Sequence, residues 1–435
     1  MVAGNRNRTG VKVEGSASVD QARPPEATAR VCRFCGGHLH PFVDLGMSPL
    51  CESFVPADRL HAMEAFYPLD VMVCGTCFLV QLPQYVNPEA IFTEYAYFSS
   101  YSDAYVAHGK AYAEMIVERL GLSDRSLVVE LASNDGYLLQ HFLGKGVPVL
   151  GVEPAANVAQ AAIARGIPTD VVFFGAETAR RMVADGKVAD LLIGNNVLAQ
   201  VPDLNDFVAG MRIVLAPEGV ATVEFPHLMR LIADGQYDTI YHEHFSYFSF
   251  TTAERIFAAH GLRVFDVEEI WTHGGSLRLY ACHAAADRPT GQAVSALRRR
   301  EHDAGYARLE TYADFGEKAK AAKRDLLDFL IGVKRAGKRV VGYGAPGKGN
   351  TLLNYCGIRT DFLDFTVDRN PYKHGKFLPG THIPIYPPDR IAATRPDYVL
   401  ILPWNLKDEI VAQLAYIRTW GGRCVVPIPR VEICP

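Results

Sequence analysis

The sequence predicts an α/β protein: a small cysteine-bound N-terminal module followed by two Rossmann-like sheets. Three observations carry this. Two CxxC pairs, Cys32/Cys35 and Cys74/Cys77, bracket a segment punctuated by Gly46, Pro49, Pro56 and Pro68. Between 126 and 225, β-branched apolar runs alternate with helical patterns, the rhythm of a doubly wound parallel sheet. A further strand, turn and helix open at Arg339-Val340-Val341-Gly342-Tyr343-Gly344. A chain of 435 residues has room for all three parts. Its net charge of −4 gives no general attraction to nucleic acid. No apolar run approaches the ~20 residues that span a bilayer.

Residues 1–30 are rich in Gly, Ala, Arg, Ser and Pro without an apolar stretch. They read as a disordered leader and not a signal peptide, so a cytoplasmic address follows. Residues 31–90 form the cysteine module. Each CxxC suits a tight knuckle. Four thiolates complete a tetrahedral Zn²⁺ site without an open position, which marks a structural zinc. The cysteine total of 9 is odd, and this also argues against a disulfide framework. Residues 91–285 begin with an aromatic connector, Tyr95 to Tyr101, and a helix over 103–120. Strands follow at 126–131, 147–152, 189–193 and 220–225, with helices at 136–143, 155–164 and 204–214 between them. Residues 286–435 start with a helical segment, 291–337, that braces the next sheet.

Ligands of such sheets sit at the carboxyl ends of strands. One end reads Glu130-Leu131-Ala132-Ser133-Asn134-Asp135-Gly136, and the next Gly151-Val152-Glu153-Pro154. An acid at the second end, Glu153, suits the hydroxyls of a ribose. The first turn has only Gly136 where a dinucleotide fingerprint has three glycines. A nucleoside without phosphates fits better, and S-adenosylmethionine is one. The later loop, Gly342 to Asn350, combines backbone amides, a helix N-terminus and Lys348. That is an anion site suited to a diphosphate. Its GxGxxG spacing, with Asp361, Asp364 and Asp368 beyond it, taken alone predicts a nicotinamide cofactor. Between the two loops lies Tyr241-His242-Glu243-His244-Phe245-Ser246-Tyr247. It is dense in side chains that move a proton and hold an anion. His273-Gly274-Gly275-Ser276 with Arg278 reads as either a hairpin or a second anion-binding turn.

In this order, the paired CxxC module, ELASNDGYLL, NNVLAQVPDL, TIYHEHFSYFS, GGSLR and GYGAPGKGN resemble the sugar C-methyltransferases of deoxysugar biosynthesis. Those enzymes act on nucleotide-linked 4-keto sugars. The resemblance covers nearly everything after the leader. It implies a zinc module, a central class I methyltransferase domain binding S-adenosylmethionine, and a C-terminal Rossmann-like domain that holds the sugar nucleotide in place of a nicotinamide. It implies a base at His244, with Tyr241 and Glu243 beside it and a further tyrosine at Tyr95 or Tyr97. Cofactor contacts fall on Glu130, Ser133, Asn134, Gly136, Glu153, Asn195 and Asn196. Phe173 and Phe174 flank adenine, or one of them belongs to the core. Substrate contacts fall on His242, Arg278, Gly344, Lys348 and Asn350.

One position departs from the family. Its C-3 enzymes have a histidine after NVLA, where this chain has Gln200. Glutamine cannot shuttle a proton near neutral pH. The expected chemistry is C-methylation of a keto sugar, at C3 by preference with C5 as the alternative. Three competing readings remain: a metal hydrolase built on His242 and His244, an NAD-dependent oxidoreductase, and a non-catalytic sugar-nucleotide-binding protein.

Overall fold

The computed structural model describes residues 31–88, 91 and 98–434. Tyr95, Tyr97 and the leader lie outside the described residues. Among the described residues the strands gather into three principal sheets.

The first sheet has four strands: Leu39–Ser48, Tyr67–Cys74, Val80–Gln81 and Ser246–Tyr247. The fourth strand comes from the proton-handling segment. Ser246 pairs with Gln81 and Tyr247 with Val80, and the Leu82 N–H donates to the Phe245 carbonyl at 3.0 Å. The cysteine module therefore carries this segment on its own sheet edge, a pairing that nothing local in the sequence announces.

The second sheet has seven strands. Their order is Leu262–Ile270, Ser276–His283, Leu215–Pro226, Ala189–Asn195, Val128–Leu131, Val149–Val152, Thr169–Asp170. Four successive pairings from Leu215–Pro226 onward are parallel. Ser276–His283 runs antiparallel to both its neighbours. Strand order reverses at Val128–Leu131, whose four residues are all buried, as expected for a parallel strand covered on both faces. The helix Asp103–Leu120 matches its expected span. The Ser102 side chain accepts from the Tyr105 N–H at its start, and Gly121 ends it with φ +65°.

Two expectations shift. The helix expected at 136–143 begins only at Leu139, because Gly136 takes φ +76° and a Cβ there would lie 2.1 Å from Ile167 Cδ1. We expect Gly136→Ala to destabilise the fold by about 2–4 kcal/mol, from left-handed strain plus overpacking. Thermal denaturation checks this, and an unchanged Tm would refute it. The segment 291–337 divides into Gln292–Asp303, Glu310–Ala313 and Phe315–Arg335. It turns back at Gly305, φ +85°. Just before the turn, buried Glu301 accepts from the Phe250 N–H at 2.6 Å and meets His227 Nε2 at 2.7 Å.

The third sheet orders Ile385–Tyr386, Thr366–Val367, Val340–Tyr343, Tyr398–Ile401, Arg423–Val426, Glu432–Ile433. Its strand order reverses at Val340–Tyr343. The four-stranded sheet is shared between two apolar cores. Phe42, Leu69 and Val71 pack with Val340, Leu352 and Leu400. Met72, Cys74 and Leu79 pack with Leu131, Leu192 and Phe225. The cysteine module is thus wedged between the two Rossmann-like sheets. No helix of the described residues is long and apolar enough to cross a membrane.

Candidate active site and metal centre

Cys32, Cys35, Cys74 and Cys77 bring their sulfurs within 4.8 Å of one another. Cys32 Sγ and Cys77 Sγ are 3.5 Å apart, as are Cys35 Sγ and Cys74 Sγ. A Zn–S bond of about 2.3 Å in a tetrahedron requires S···S separations of about 3.8 Å, so the four thiolates fit zinc closely. Gln81 supports the site from behind. Its Nε2 donates to Cys32 Sγ at 3.3 Å, and its Oε1 accepts the Arg33 N–H at 3.0 Å. Gln81 is also the residue that pairs with Ser246. The cysteine cluster and the Tyr241–Tyr247 segment are therefore one strand apart.

A cleft of about 520 Å³ opens at the carboxyl ends of both Rossmann-like sheets. Its wall includes Asn134, Glu153, Asn195 and Asn196 from one sheet, Gly344, Lys348 and Asp368 from the other, and Tyr241, Glu243 and His244 between them. Glu153 is fixed by two amides: Oε2 accepts the Asn134 N–H and Oε1 the Ala155 N–H, each at 2.9 Å. Burial pushes its carboxyl up to about 6, and those two amides oppose the shift. Asn195 Oδ1 and Asn196 Oδ1 are buried acceptors without partners among the described residues. An amine or hydroxyl donor in the cleft would satisfy them. The residues present therefore fit a nucleoside with an amino-acid tail.

The second sheet end repeats this construction. Asp368 Oδ2 accepts the Ala345 N–H at 2.7 Å, and Oδ1 accepts the Asn370 N–H at 2.8 Å. Of the three acids expected near this loop, the structure brings Asp368 to the cleft. Gly347 comes so close to Cys51 that a Cβ there would lie 2.8 Å from its Sγ, while Tyr241 Cζ would be in ordinary contact at 3.6 Å. Lys348 Nζ donates to Asn405 Oδ1 at 2.8 Å and sits 4.9 Å from the Trp404 ring centre. Burial lowers its ammonium to about 8 against the pull of Asp238.

His244 is oriented by one bond. Its Nδ1 lies 3.0 Å from the Thr239 carbonyl. A carbonyl only accepts, so Nδ1 carries the hydrogen and Nε2 keeps its lone pair for the cleft. Burial first, and then the Lys348 charge, depress the imidazole to about 4 against the raising effect of the Thr239 bond. It is neutral at physiological pH. The Tyr241 ring lies 4.0 Å away, centroid to centroid, and burial keeps its phenol protonated. Glu243 Oε1 accepts from the Cys51 thiol at 3.3 Å.

Several expected contacts are corrected by the structure. His242 turns from the cleft: its Nε2 donates to the Pro68 carbonyl at 3.2 Å and its ring meets Tyr67 edge-on. It fastens the segment to the cysteine module, and it shares no ligand position with His244, which removes the hydrolase geometry. Arg278 is consumed by Glu224 at 2.6 Å and Glu268 at 2.9 Å. Asn350 is 1 % exposed, inside the helix Gly347–Cys356, and accepts from Asn354. Glu130 and Ser133 are buried behind the cleft wall; a Cβ on Gly151 would lie 2.4 Å from Ser133 Oγ. Gly136 shapes the turn and is not on the wall. Phe174 packs on Phe207, with Phe173 half-exposed at the rim. The cleft region also holds Cys51 and the Glu52–Lys373 ion pair at 3.5 Å, which no sequence motif marks. Both are long-range contacts with no local signal.

A seven-stranded sheet with a single antiparallel strand, and a cleft at the carboxyl ends of its parallel strands, have the architecture of a class I methyltransferase. Three family models match in order: a methyltransferase zinc binding domain over 32–92, a methyltransferase domain over 105–267, and the C-methyltransferase C-terminal domain over 271–429. The chain is 38% identical to C-methyltransferase NovU of Streptomyces niveus over 403 residues, 92% of this chain and 96% of that one. It belongs to the C-methyltransferase family: an S-adenosylmethionine-dependent enzyme with a zinc-binding module. Among solved structures it is similar to the PH0226 protein of Pyrococcus horikoshii OT3, at 16% identity and TM-score 0.36, covering 45% of this chain and 97% of that one. It is also similar to magnesium protoporphyrin IX methyltransferase of Synechocystis PCC 6803, at 14% and 0.32, covering 42% and 82%.

Proposed function

We propose that this enzyme methylates a carbon beside the ketone of a nucleotide-linked 4-keto sugar. One observation carries the reading: a single cleft joins an oriented neutral histidine to two acid-anchored strand ends, Glu153 on one side and Asp368 with Lys348 on the other. One end suits the methyl donor, the other a second nucleotide. Residues 31–90, 91–285 and 286–435 then act as zinc module, donor domain and sugar-nucleotide domain. The site favours no ring carbon; C3 stays the preferred position and C5 the alternative.

A ketone acidifies the hydrogen on its neighbouring carbon. His244 Nε2 takes that proton, and Tyr241 donates its hydroxyl to the enolate oxygen. S-adenosylmethionine supplies the methyl group that the carbon nucleophile accepts. Glu153 receives the ribose hydroxyls, and Asn195 and Asn196 receive the donor's remaining polar hydrogens. A diphosphate beside Lys348 neutralises the charge that depresses His244, so substrate binding strengthens the base. The NAD reading loses its support, because the glycine loop serves as this anion site.

Two measurements test this. Purified enzyme, labelled S-adenosylmethionine and a panel of nucleotide 4-keto sugars should give label on a ring carbon. Label found only on a non-sugar acceptor, or on oxygen, defeats the reading. Glu153 adds a pH signature. Ribose hydroxyls bind its ionised form, so donor affinity is complete above pH 6 and falls as pH drops through about 6. The slope should reach up to roughly tenfold per unit for one proton. Glu153→Gln should bind more weakly with that pH dependence removed; calorimetric titration reads both.

A further inference from the structure

We propose that Glu52 and Lys373 form a hydroxyl-reading pair of the cleft, specific for the C2 hydroxyl of the nucleotide-linked keto sugar. This rests on the keto-sugar reading above, with the reacting carbon at C3. Both side chains line the cleft. Lys373 Nζ donates to the Ala345 carbonyl at 2.8 Å and lies 3.5 Å from Glu52 Oε2. Lys373 is buried, and the Glu52 side chain is 11 % exposed. Glu52 Oε2 has no hydrogen-bond partner among the described residues. The carboxylate therefore keeps acceptor capacity for a ligand.

The pair is set in a frame built by folding. Glu52 belongs to the cysteine module and Lys373 to the domain of the third sheet. Just after them in sequence, Val55–Pro56 and Lys376–Phe377 form a two-stranded sheet, with Val55 opposite Phe377 and Pro56 opposite Lys376. The Phe54 ring lies against Lys373 Nζ, 4.7 Å to its centre. Burial opposes the charge on Lys373, but Glu52 and then Asp368 outweigh burial and hold the ammonium above its usual range. A buried ion pair adds little stability over apolar side chains of the same size. This one faces a cleft, where a polar ligand group gives it a partner.

Its place in the cleft selects the hydroxyl. On one side Ala345 ties the pair to the nucleotide end: its carbonyl takes Lys373, and its N–H goes to Asp368 Oδ2 at 2.7 Å. On the other side Cys51, next to Glu52 in sequence, donates to Glu243 Oε1 at 3.3 Å, and Glu243 precedes His244. The pair thus stands between the anion loop and the proton acceptor. In a nucleotide 4-keto sugar, C1 carries the diphosphate and C3 loses the proton, so C2 lies between them. The C2 hydroxyl donates its hydrogen to Glu52, and its oxygen accepts from Lys373. Together these bonds fix the ring across the cleft.

Methylation rates with two nucleotide 4-keto sugars, one with a hydroxyl at C2 and one with hydrogen there, test this. The wild-type enzyme should favour the hydroxyl sugar by roughly 10²-fold in kcat/KM, because the deoxy sugar leaves a buried charged pair unmatched. Glu52→Leu combined with Lys373→Met replaces the pair by apolar side chains of similar size, and should bring that ratio close to one. A merely structural bridge would, when lost, slow both sugars alike; an unchanged ratio in the double variant therefore overturns the proposal. So does a wild-type enzyme that does not favour the hydroxyl sugar, or that places the methyl on C5, and either result leaves the proposed function standing. A wild-type enzyme that methylates neither sugar overturns both.

Discussion

His244→Asn is expected to abolish methyl transfer, by roughly 10³-fold, while S-adenosylmethionine binds as before. The asparagine amide can still donate to the Thr239 carbonyl that holds Nδ1 at 3.0 Å, so the segment keeps its anchor. What it lacks is a nitrogen able to accept a proton. The pH profile adds a second check. The base must be unprotonated, and the free imidazole is pulled down to about 4. At saturating methyl donor, kcat/KM for the sugar nucleotide, which reports the enzyme before that substrate binds, should therefore persist below pH 6 and fall only as pH drops towards 4. At low donor the fall should come earlier, near 6, because Glu153 then limits binding. A variant that retains turnover, or a limb near 7 under saturation, would remove His244 as the base.

Removing zinc should cost activity as well as stability. The four thiolates cannot share 4.8 Å of space unbound without mutual repulsion when ionised. Structural zinc commonly contributes about 10–16 kcal/mol of apparent binding energy. The consequence reaches the active site through Gln81, which donates to Cys32 Sγ and pairs with Ser246. Loosening that strand frees the backbone next to His244. We expect a strong chelator to lower methyl transfer by at least roughly tenfold and to raise hydrogen exchange across 242–247. Added Zn²⁺ should restore both. Metal analysis should give one zinc per chain, since among the described residues only the four cysteines form a ligand cluster. Full activity after zinc loss would confine the metal to a remote structural role.

Much of this was legible along the chain. Each CxxC is a local knuckle with its own geometry, and a strand followed by an acid, as at Glu153, is a local pattern. Those signals depend on neighbours in sequence, so they survive without coordinates. Directions did not. His242 and His244 are two residues apart, which on a regular strand places them on one face. The segment leaves regular strand geometry before Ser246, and the histidines bind carbonyls in different parts of the fold. Arg278 offered a free cation to any anion until Glu224 and Glu268 claimed it. Asn350 followed the loop motif but falls on the buried side of its helix.

The parts are written along the chain: a cysteine module, two strand-and-helix sheets with acids at their ends, and a segment rich in titratable side chains. Each of these is set by residue type and spacing within a few turns of chain. Their arrangement is a property of the folded chain. Folding places the cysteine module between both sheets and lays Ser246–Tyr247 on its edge. The physical reason is burial. Which face of the four-stranded sheet meets which core is fixed by the apolar surface it removes from water on both sides, and that sum is taken over the whole folded chain.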